Sequence, residues 1–202
     1  MSSRIASVAA FVKRFSVVRP HAMFWGELDA YDHANNVQYM RWFESVRANW
    51  MAEVALAAST GGYNGRELLS AKSVGFILGS AACRYKVPVE WPDTLWFGTS
   101  AAAPLPGAGA DRFTLHHAVY SVRHARIAAE GEVEVVVYDY RLKKRGALPP
   151  SAAAGIAAVE AAGAQRTDAE VAALEALSAG LHKASGVDTA LRLGALPNAA
   201  RA

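Results

Sequence analysis

Cysteine is nearly absent from this chain of 202 residues, since Cys83 is the only one. A single cysteine excludes an internal disulfide and fits a reducing compartment. His33, the histidine of the most polar loop, has no cysteine or second histidine at metal-ligand spacing, so we expect no metal site and no cofactor. Cys83 itself lies in an apolar run with no base beside it, which predicts inert packing and not a nucleophile.

Long apolar runs are also missing, because glycine, proline or charged residues interrupt each candidate before it could span a bilayer. The composition, 52% hydrophobic and 19% charged, is typical of a globular domain, and the length suits one domain with a sizeable core. The net charge is only +3 and most basic residues are scattered. We therefore expect no membrane span and no nucleic-acid partner.

Acidic residues are lacking from the first 26 positions, which contain Arg4, Lys13, Arg14 and Arg19. Together with apolar residues at helical spacing, this composition is similar to a weak mitochondrial presequence. The alternative is an ordinary N-terminus that leads into the first strand. We predict a cytoplasmic protein, with the mitochondrial matrix as the alternative location.

Hydrophobic patterning predicts one long helix among strands. Residues 15–25 are rich in aromatic and β-branched side chains but contain a proline, which indicates an edge strand. Apolar positions at spacings of three and four predict a helix over 37–58, and the glycines of 60–65 end it. Four more strands are predicted, separated by short turns rich in glycine, proline and polar residues: 74–89, 94–102, 112–122 and 127–142.

These elements define an α+β fold. Short connections make consecutive strands antiparallel, since parallel pairing needs long crossovers. One helix with a broad apolar face is buried only if the sheet curls around it. Beyond Pro149 and Pro150 the chain is Ala-rich, with helices predicted at 151–163 and 167–181. We divide the chain into an extension (1–14), a main domain (15–148) and a helical tail (149–202), and we expect the end of the tail to be mobile.

The segment just before the long helix is the most informative part of the chain; residues 25–39 read WGELDAYDHANNVQY. A carboxylate on a loop supplies a base or nucleophile, and the free N–H groups at a helix start carry partial positive charge for an oxyanion. Asn35 and Asn36 are also typical N-cap residues, and this role is compatible with oxyanion binding. The segment therefore predicts a place where a reactive carbonyl is held.

This segment, followed by Arg41-Trp42-Phe43-Glu44 and by the runs 83–89 and 92–95, resembles the aromatic-Gly-Asp-x-Asp-x-x-Gly-His-Val-Asn-Asn signature of hot-dog-fold thioesterases of the 4-hydroxybenzoyl-CoA thioesterase type. The resemblance covers residues 15–145. It implies a five-stranded antiparallel sheet wrapped around the long helix. It also implies a homodimer or dimer of dimers that binds and hydrolyses an acyl-CoA, or an acyl-carrier thioester, with coenzyme A as part of the substrate.

The resemblance also implies roles for single residues. Asp29 stands where the family has its general base or nucleophile, and the backbone N–H of Asn36 stands where the thioester carbonyl is polarised. His33 is predicted to donate a hydrogen bond to the substrate or to brace the loop. The candidates for the coenzyme A phosphates are Arg84, Lys86 and Arg112. Glu44 is an outside candidate for the catalytic carboxylate, and otherwise forms a structural pair with Arg47.

Three positions depart from the family pattern: Glu27 replaces Asp, Asp32 replaces Gly and Ala34 replaces Val. Asp32 puts a second carboxylate near Asp29, and we expect the loop to survive because Asp tolerates the left-handed conformation better than most residues. Two alternative functions stay open. One is a catalytically weak acyl-binding or assembly subunit, and the other is an enoyl-thioester hydratase or dehydratase on the same fold.

Overall fold

The structure is a computed structural model in which residues 7–59 and 63–184 are described. Its helices are α1 (Val8–Val12), α2 (Asn36–Ala58), α3 (Pro150–Ala164) and α4 (Asp168–Ala184). Its strands are β1 (Val17–Ala22), β2 (Val74–Tyr85), β3 (Thr94–Ala101), β4 (Arg112–Ser121), β5 (Arg126–Asp139) and β6 (Lys144–Arg145). Short 3₁₀ turns lie at Trp25–Glu27 and Gly65–Leu69.

All neighbouring strands pair antiparallel, in the order β1-β3-β4-β5-β2, and β6 adds two residues beside β5. The predicted α+β fold, with five long strands around one helix, is confirmed. The two-residue β6 was not predicted, because it is too short to show a pattern. Helix α2 ends at Ala58, just before the predicted glycine-rich stop at 60–65. Residues 60–62 of this stop lie outside the described residues, as do the predicted mobile end beyond 184 and residues 1–6.

Helix α2 is buried against the sheet through a stripe of large side chains, as its periodicity predicts. The fully or nearly buried residues are Tyr39, Trp42, Phe43, Val46, Trp50 and Val54. Gly131 of β5 lets the helix approach closely, since a Cβ there would lie 2.5 Å from the Phe43 ring. Phe43 in turn stacks on His117, with centroids 5.1 Å apart. Burial lowers the pKa of His117 to about 3, helped by the charges of Arg47 and His116, so this core histidine is neutral.

The Ala-rich helix α3 packs into the main domain. Its Ala152 and Ile156 are fully buried, and Gly155 lies against the backbone of α2. The Glu160 carboxylate accepts hydrogen bonds from Trp50 Nε1 at 2.8 Å, Ser16 Oγ at 2.9 Å and the Ala101 N–H at 3.0 Å. Glu160 thereby joins α3 to the central helix and to the sheet.

Helices α1 and α4 cover part of the outer face of the sheet. Phe11 and Val12 of α1 and Val171 of α4 form an apolar cluster with Trp96 and Tyr120. The predicted capping box opens α4: Thr167 N–H and hydroxyl donate to Glu170, and the Glu170 N–H donates to Thr167 Oγ1 at 3.3 Å. No helix between residues 7 and 184, leaving out 60–62, is both long and apolar enough to cross a membrane.

The two edges of the sheet differ. Helix α4 contacts β1 at one edge. At the other edge, in the part of the chain that the structure describes, no strand pairs with the outer side of β2. Residues 78–82 of β2 are exposed, and so are Arg84 and Tyr85. One edge of the sheet is therefore open to pairing.

Candidate active site

The loop between β1 and α2 makes a tight turn around Asp29. The Asp29 N–H donates to the His33 carbonyl at 2.8 Å, and the Asp32 N–H donates to the Asp29 carbonyl at 3.1 Å. Closing this turn requires a left-handed residue, and Asp32 adopts φ of 60°. The expectation that the loop tolerates aspartate where the family has glycine is confirmed.

Backbone pairing holds the two arms of this loop together. Leu28 and Ala34 form an isolated antiparallel bridge. The Asn35 N–H donates to the Glu27 carbonyl at 3.0 Å, and the Ala34 N–H donates to the Val89 carbonyl at 2.7 Å. The loop is therefore fixed both to itself and to the segment that follows β2.

The loop leads directly into the N-terminus of α2. Asn35 is the N-cap, and its side-chain oxygen accepts from the Val37 N–H at 2.9 Å. Asn36 is the first helical residue, so its N–H has no acceptor within the helix. The Asn36 carbonyl accepts from the Tyr85 hydroxyl at 3.2 Å, which ties the helix start to the end of β2. Of the two predicted caps, Asn35 takes the role.

Asp29 is half-buried and partly anchored. One oxygen, Oδ1, accepts the Tyr31 N–H at 2.8 Å. Within residues 7–59 and 63–184 no hydrogen bond reaches Oδ2. Asp29 lines a cavity of about 490 Å³, together with Tyr31, His33, Ala34, Asn36, Tyr39, Tyr85, Lys86, Val87 and Pro88. The three predicted catalytic residues thus line one cavity.

His33 stands at the rim of this cavity. Its Nε2 is 3.9 Å from Glu90 Oε1, and the other Glu90 oxygen is 3.2 Å from Arg123 Nη2. All three side chains are more than a third exposed, so these contacts contribute little to stability. The His33 ring is accessible to a ligand in the cavity.

The basic residues predicted for coenzyme A lie in different places. Lys86 lines the cavity and pairs with Glu130 at 2.5 Å. Arg84 lies two residues earlier, exposed on β2, and lines a separate cavity. Arg112 begins β4, where it pairs with Asp111 at 3.2 Å and Glu134 at 3.4 Å. The β5 residue that pairs with Arg112 lies seven positions from the β5 residue that pairs with Tyr85, which is about 23 Å along the strand. Within one protomer, the structure does not bring Arg112 to the cavity.

Glu44 and Arg47 lie further along α2 and line a separate cavity of about 270 Å³ beside β2. Glu44 is exposed, and it is eight residues from Asn36, or about 12 Å along the helix. Burial lowers the pKa of the Arg47 guanidinium, and the charge of Glu44 opposes that shift only in part. Among the described residues the two form no ion pair within 4 Å.

Cys83 is half-buried, and burial raises the pKa of its thiol, which disfavours the nucleophilic thiolate. This agrees with its predicted packing role. In residues 7–59 and 63–184, no group of three or more histidine, cysteine, aspartate or glutamate side chains is placed to hold a metal ion.

Sequence reasoning missed a half-buried carboxylate in the 3₁₀ turn that precedes the loop. Glu27 accepts His21 Nε2 at 2.9 and 3.0 Å, the Phe24 N–H at 2.7 Å and Trp42 Nε1 at 3.1 Å. Burial raises the pKa of the Glu27 carboxyl, but these hydrogen bonds lower it by more, so its pKa lies below the ordinary value. One feature of the sequence could have indicated this carboxylate: position 27 has a glutamate, which is longer than the aspartate of the family pattern, and His21 precedes it on the first strand.

The family of the chain follows from a profile match. The profile of the thioesterase-like superfamily matches residues 24–156 and so covers the loop, α2, the sheet from β2 onward and the start of α3. The chain belongs to the thioesterase-like superfamily, which confirms the predicted class of enzyme, a thioesterase. No curated protein sequence matches the chain significantly.

Solved structures share its fold. A 1,4-dihydroxy-2-naphthoyl-CoA thioesterase from Synechocystis is 15% identical with a TM-score of 0.56, over 70% of this chain and 95% of that one. A Thermus thermophilus thioesterase complexed with coenzyme A and Zn is 18% identical with a TM-score of 0.57, over 73% and 96%. The gentisyl-coenzyme A thioesterase BH1999 is 21% identical with a TM-score of 0.54, over 69% and 98%. These matches confirm the predicted hot-dog fold.

Proposed function

We propose that this protein hydrolyses an acyl-CoA, or the same acyl group on a carrier protein, to a free acid and a thiol. One observation carries the proposal: the Asp29 carboxylate and the first residue of α2, Asn36, line the same cavity. The family supplies thioester chemistry, and the solved relatives named for aryl-CoA or coenzyme A support coenzyme A as the carrier.

The chemistry follows from the two groups. The thioester carbonyl oxygen accepts the Asn36 N–H, so that the negative charge that develops on this oxygen meets the positive end of the helix dipole. Asp29 Oδ2 takes a proton from water, and the resulting hydroxide attacks the carbonyl carbon. The C–S bond then breaks, and the thiolate leaves and takes up a proton. In the alternative route Asp29 attacks the carbonyl carbon directly, the C–S bond breaks and the thiolate leaves, and water then hydrolyses the resulting mixed anhydride.

The helix-start donor and the carboxylate have comparable weight in this mechanism. Removing one oxyanion donor typically costs about 3 kcal/mol of transition-state stabilisation. General-base catalysis contributes about 10²- to 10⁴-fold, which is a similar free energy. His33 is proposed to donate a hydrogen bond to the substrate at the rim, and Arg84 and Lys86 are proposed to contact the coenzyme A phosphates.

The active unit is proposed to be a homodimer. The outer edge of β2 is free in the described chain, and a long free edge invites pairing with a second sheet. Pairing there would bring a partner subunit against the exposed side of Tyr85, which also lines the cavity. Sedimentation that shows only monomer at micromolar concentration would contradict the dimer.

A substrate panel tests the function. Purified protein is incubated with acyl-CoAs of different chain length, aryl-CoAs and an enoyl-CoA, and free thiol and free acid are both quantified. The proposal predicts equal amounts of the two from at least one substrate. Tight binding without thiol release identifies an acyl-binding subunit, and hydration of the enoyl-CoA without thiol release identifies a hydratase; either result overturns the proposal.

A further inference from the structure

The Glu27 carboxylate joins three separate elements. His21 lies on β1, Glu27 lies in the 3₁₀ turn and Trp42 lies on α2, and the three meet through hydrogen bonds of 2.9 to 3.1 Å. The glutamate side chain is only 14% exposed and that of His21 only 22%. A carboxylate this poorly hydrated, with donors on both oxygens, is strongly held in one orientation.

The donors of this carboxylate are themselves immobilised. Trp42 stacks on Phe97 with centroids 5.3 Å apart and an interplanar angle of 23°. The His21 ring contacts the same Phe97 at 5.4 Å and Trp42 at 5.9 Å. The carboxylate is therefore anchored on a packed aromatic cluster that belongs to the core, not to the loop.

Backbone contacts transmit this anchor to the reacting groups. The Glu27 carbonyl accepts the N–H of Asn35, the N-cap that precedes Asn36. The next residue, Leu28, bridges to Ala34, and Asp29 follows directly. Fixing residue 27 thus fixes both arms of the loop, one bearing the carboxylate and the other leading to the helix N–H. Glu27 itself does not line the cavity.

We propose that Glu27, held by His21 and Trp42, is a positioning residue that sets the separation between the Asp29 carboxylate and the Asn36 N–H without touching the substrate. The mechanism depends on this separation, because a displacement of about 1 Å between reacting groups costs up to about 10²-fold in rate. Aspartate at position 27 would be one methylene too short to keep the same hydrogen bonds from the fixed rings. This inference deepens the proposed function and rests on it.

The test compares Glu27→Gln with wild type by steady-state kinetics and by amide hydrogen exchange of residues 28–37. Glutamine retains one acceptor oxygen but turns an NH₂ group toward a donor. We expect kcat to fall about 10²-fold with KM within about twofold, since binding contacts outside the loop are unchanged. Exchange should become about tenfold faster in 28–37 alone. Glu175→Gln, the same change at an exposed glutamate of α4, should alter neither quantity.

A double-mutant cycle separates positioning from general destabilisation. Because His21→Gln and Glu27→Gln break the same contact, the double variant should lose no more kcat than the worse single variant. Independent losses that multiply would overturn the proposal. If Glu27→Gln fails to fold, Trp42→Phe, which removes only one donor, serves in its place and should show the same pattern at smaller amplitude.

The two readouts distinguish this inference from the proposed function. If wild type releases no thiol from any substrate but Glu27→Gln still speeds exchange in residues 28–37, the hydrolase assignment falls and the positioning role stands. If wild type is active and Glu27→Gln leaves both kcat and loop exchange unchanged, the positioning role falls and the hydrolase assignment stands.

Discussion

Replacing Glu160 tests whether α3 is an integral part of the fold. In Glu160→Ala, Trp50 Nε1–H and the Ala101 N–H lose their acceptor, whereas Ser16 Oγ still donates to the Thr99 carbonyl at 2.9 Å. A buried donor left unpaired costs about 1–3 kcal/mol. Trp50 is fully buried, but Glu160 is only half-buried and water can enter from its side. We therefore expect a loss of about 2–3 kcal/mol, in the lower half of the range for two donors.

The assay is urea unfolding followed by Trp fluorescence, with a thermal scan beside it. For a chain of this size the expected loss corresponds to a fall in Tm of about 4–12 °C. Glu175→Ala, an exposed glutamate on α4, is the matched control and should stay within about 0.5 kcal/mol of wild type. The stability of Glu160→Gln should lie between that of Glu160→Ala and that of the Glu175→Ala control. A Glu160→Ala protein as stable as the control would refute the reasoning and show that α3 does not depend on this anchor.

Three further substitutions test separate contacts. Gly131→Ala should destabilise by about 1–3 kcal/mol in urea unfolding, because its Cβ would lie 2.5 Å from the Phe43 ring; unchanged stability would contradict the close packing. Asn35→Ala should cost about 1 kcal/mol through the lost N-cap, and a neutral result would contradict the cap. His117 has a folded pKa of about 3, lowered from 6.5, so the unfolded chain binds more protons between these values. Its contribution to stability is complete above pH 6.5 and is lost as the pH falls toward 3; unfolding at pH 4 to 7 should show a shallower slope for His117→Gln than for wild type.

The sequence predicted features that depend on neighbours along the chain. The helix α2 begins one residue from the predicted start, and the four strands after it begin within a residue of their predicted positions, because hydrophobic period and turn residues act locally. The left-handed residue at position 32 also follows from the local motif and the tolerance of aspartate.

Contacts between distant residues could not be predicted in this way. Glu160 accepts a hydrogen bond from Trp50, which is 110 positions away, and the pattern of an Ala-rich helix does not indicate which element it packs against. Glu27 and Trp42 are closer in sequence, but their hydrogen bond exists only because α2 and the 3₁₀ turn pack together. The same limit applies to Arg112, since its distance from the cavity depends on strand register and not on residue type.

The central claim is that Asp29 and the Asn36 N–H act on one thioester in one cavity. The most direct measurement is single-turnover thiol release with the best substrate, comparing Asp29→Asn with Asp32→Asn. Both variants exchange a carboxylate for an amide in the same turn, and asparagine tolerates the left-handed conformation at position 32. The account predicts a loss of about 10²-fold or more for Asp29→Asn and near wild-type rates for Asp32→Asn. An Asp29→Asn enzyme within twofold of wild type would contradict it.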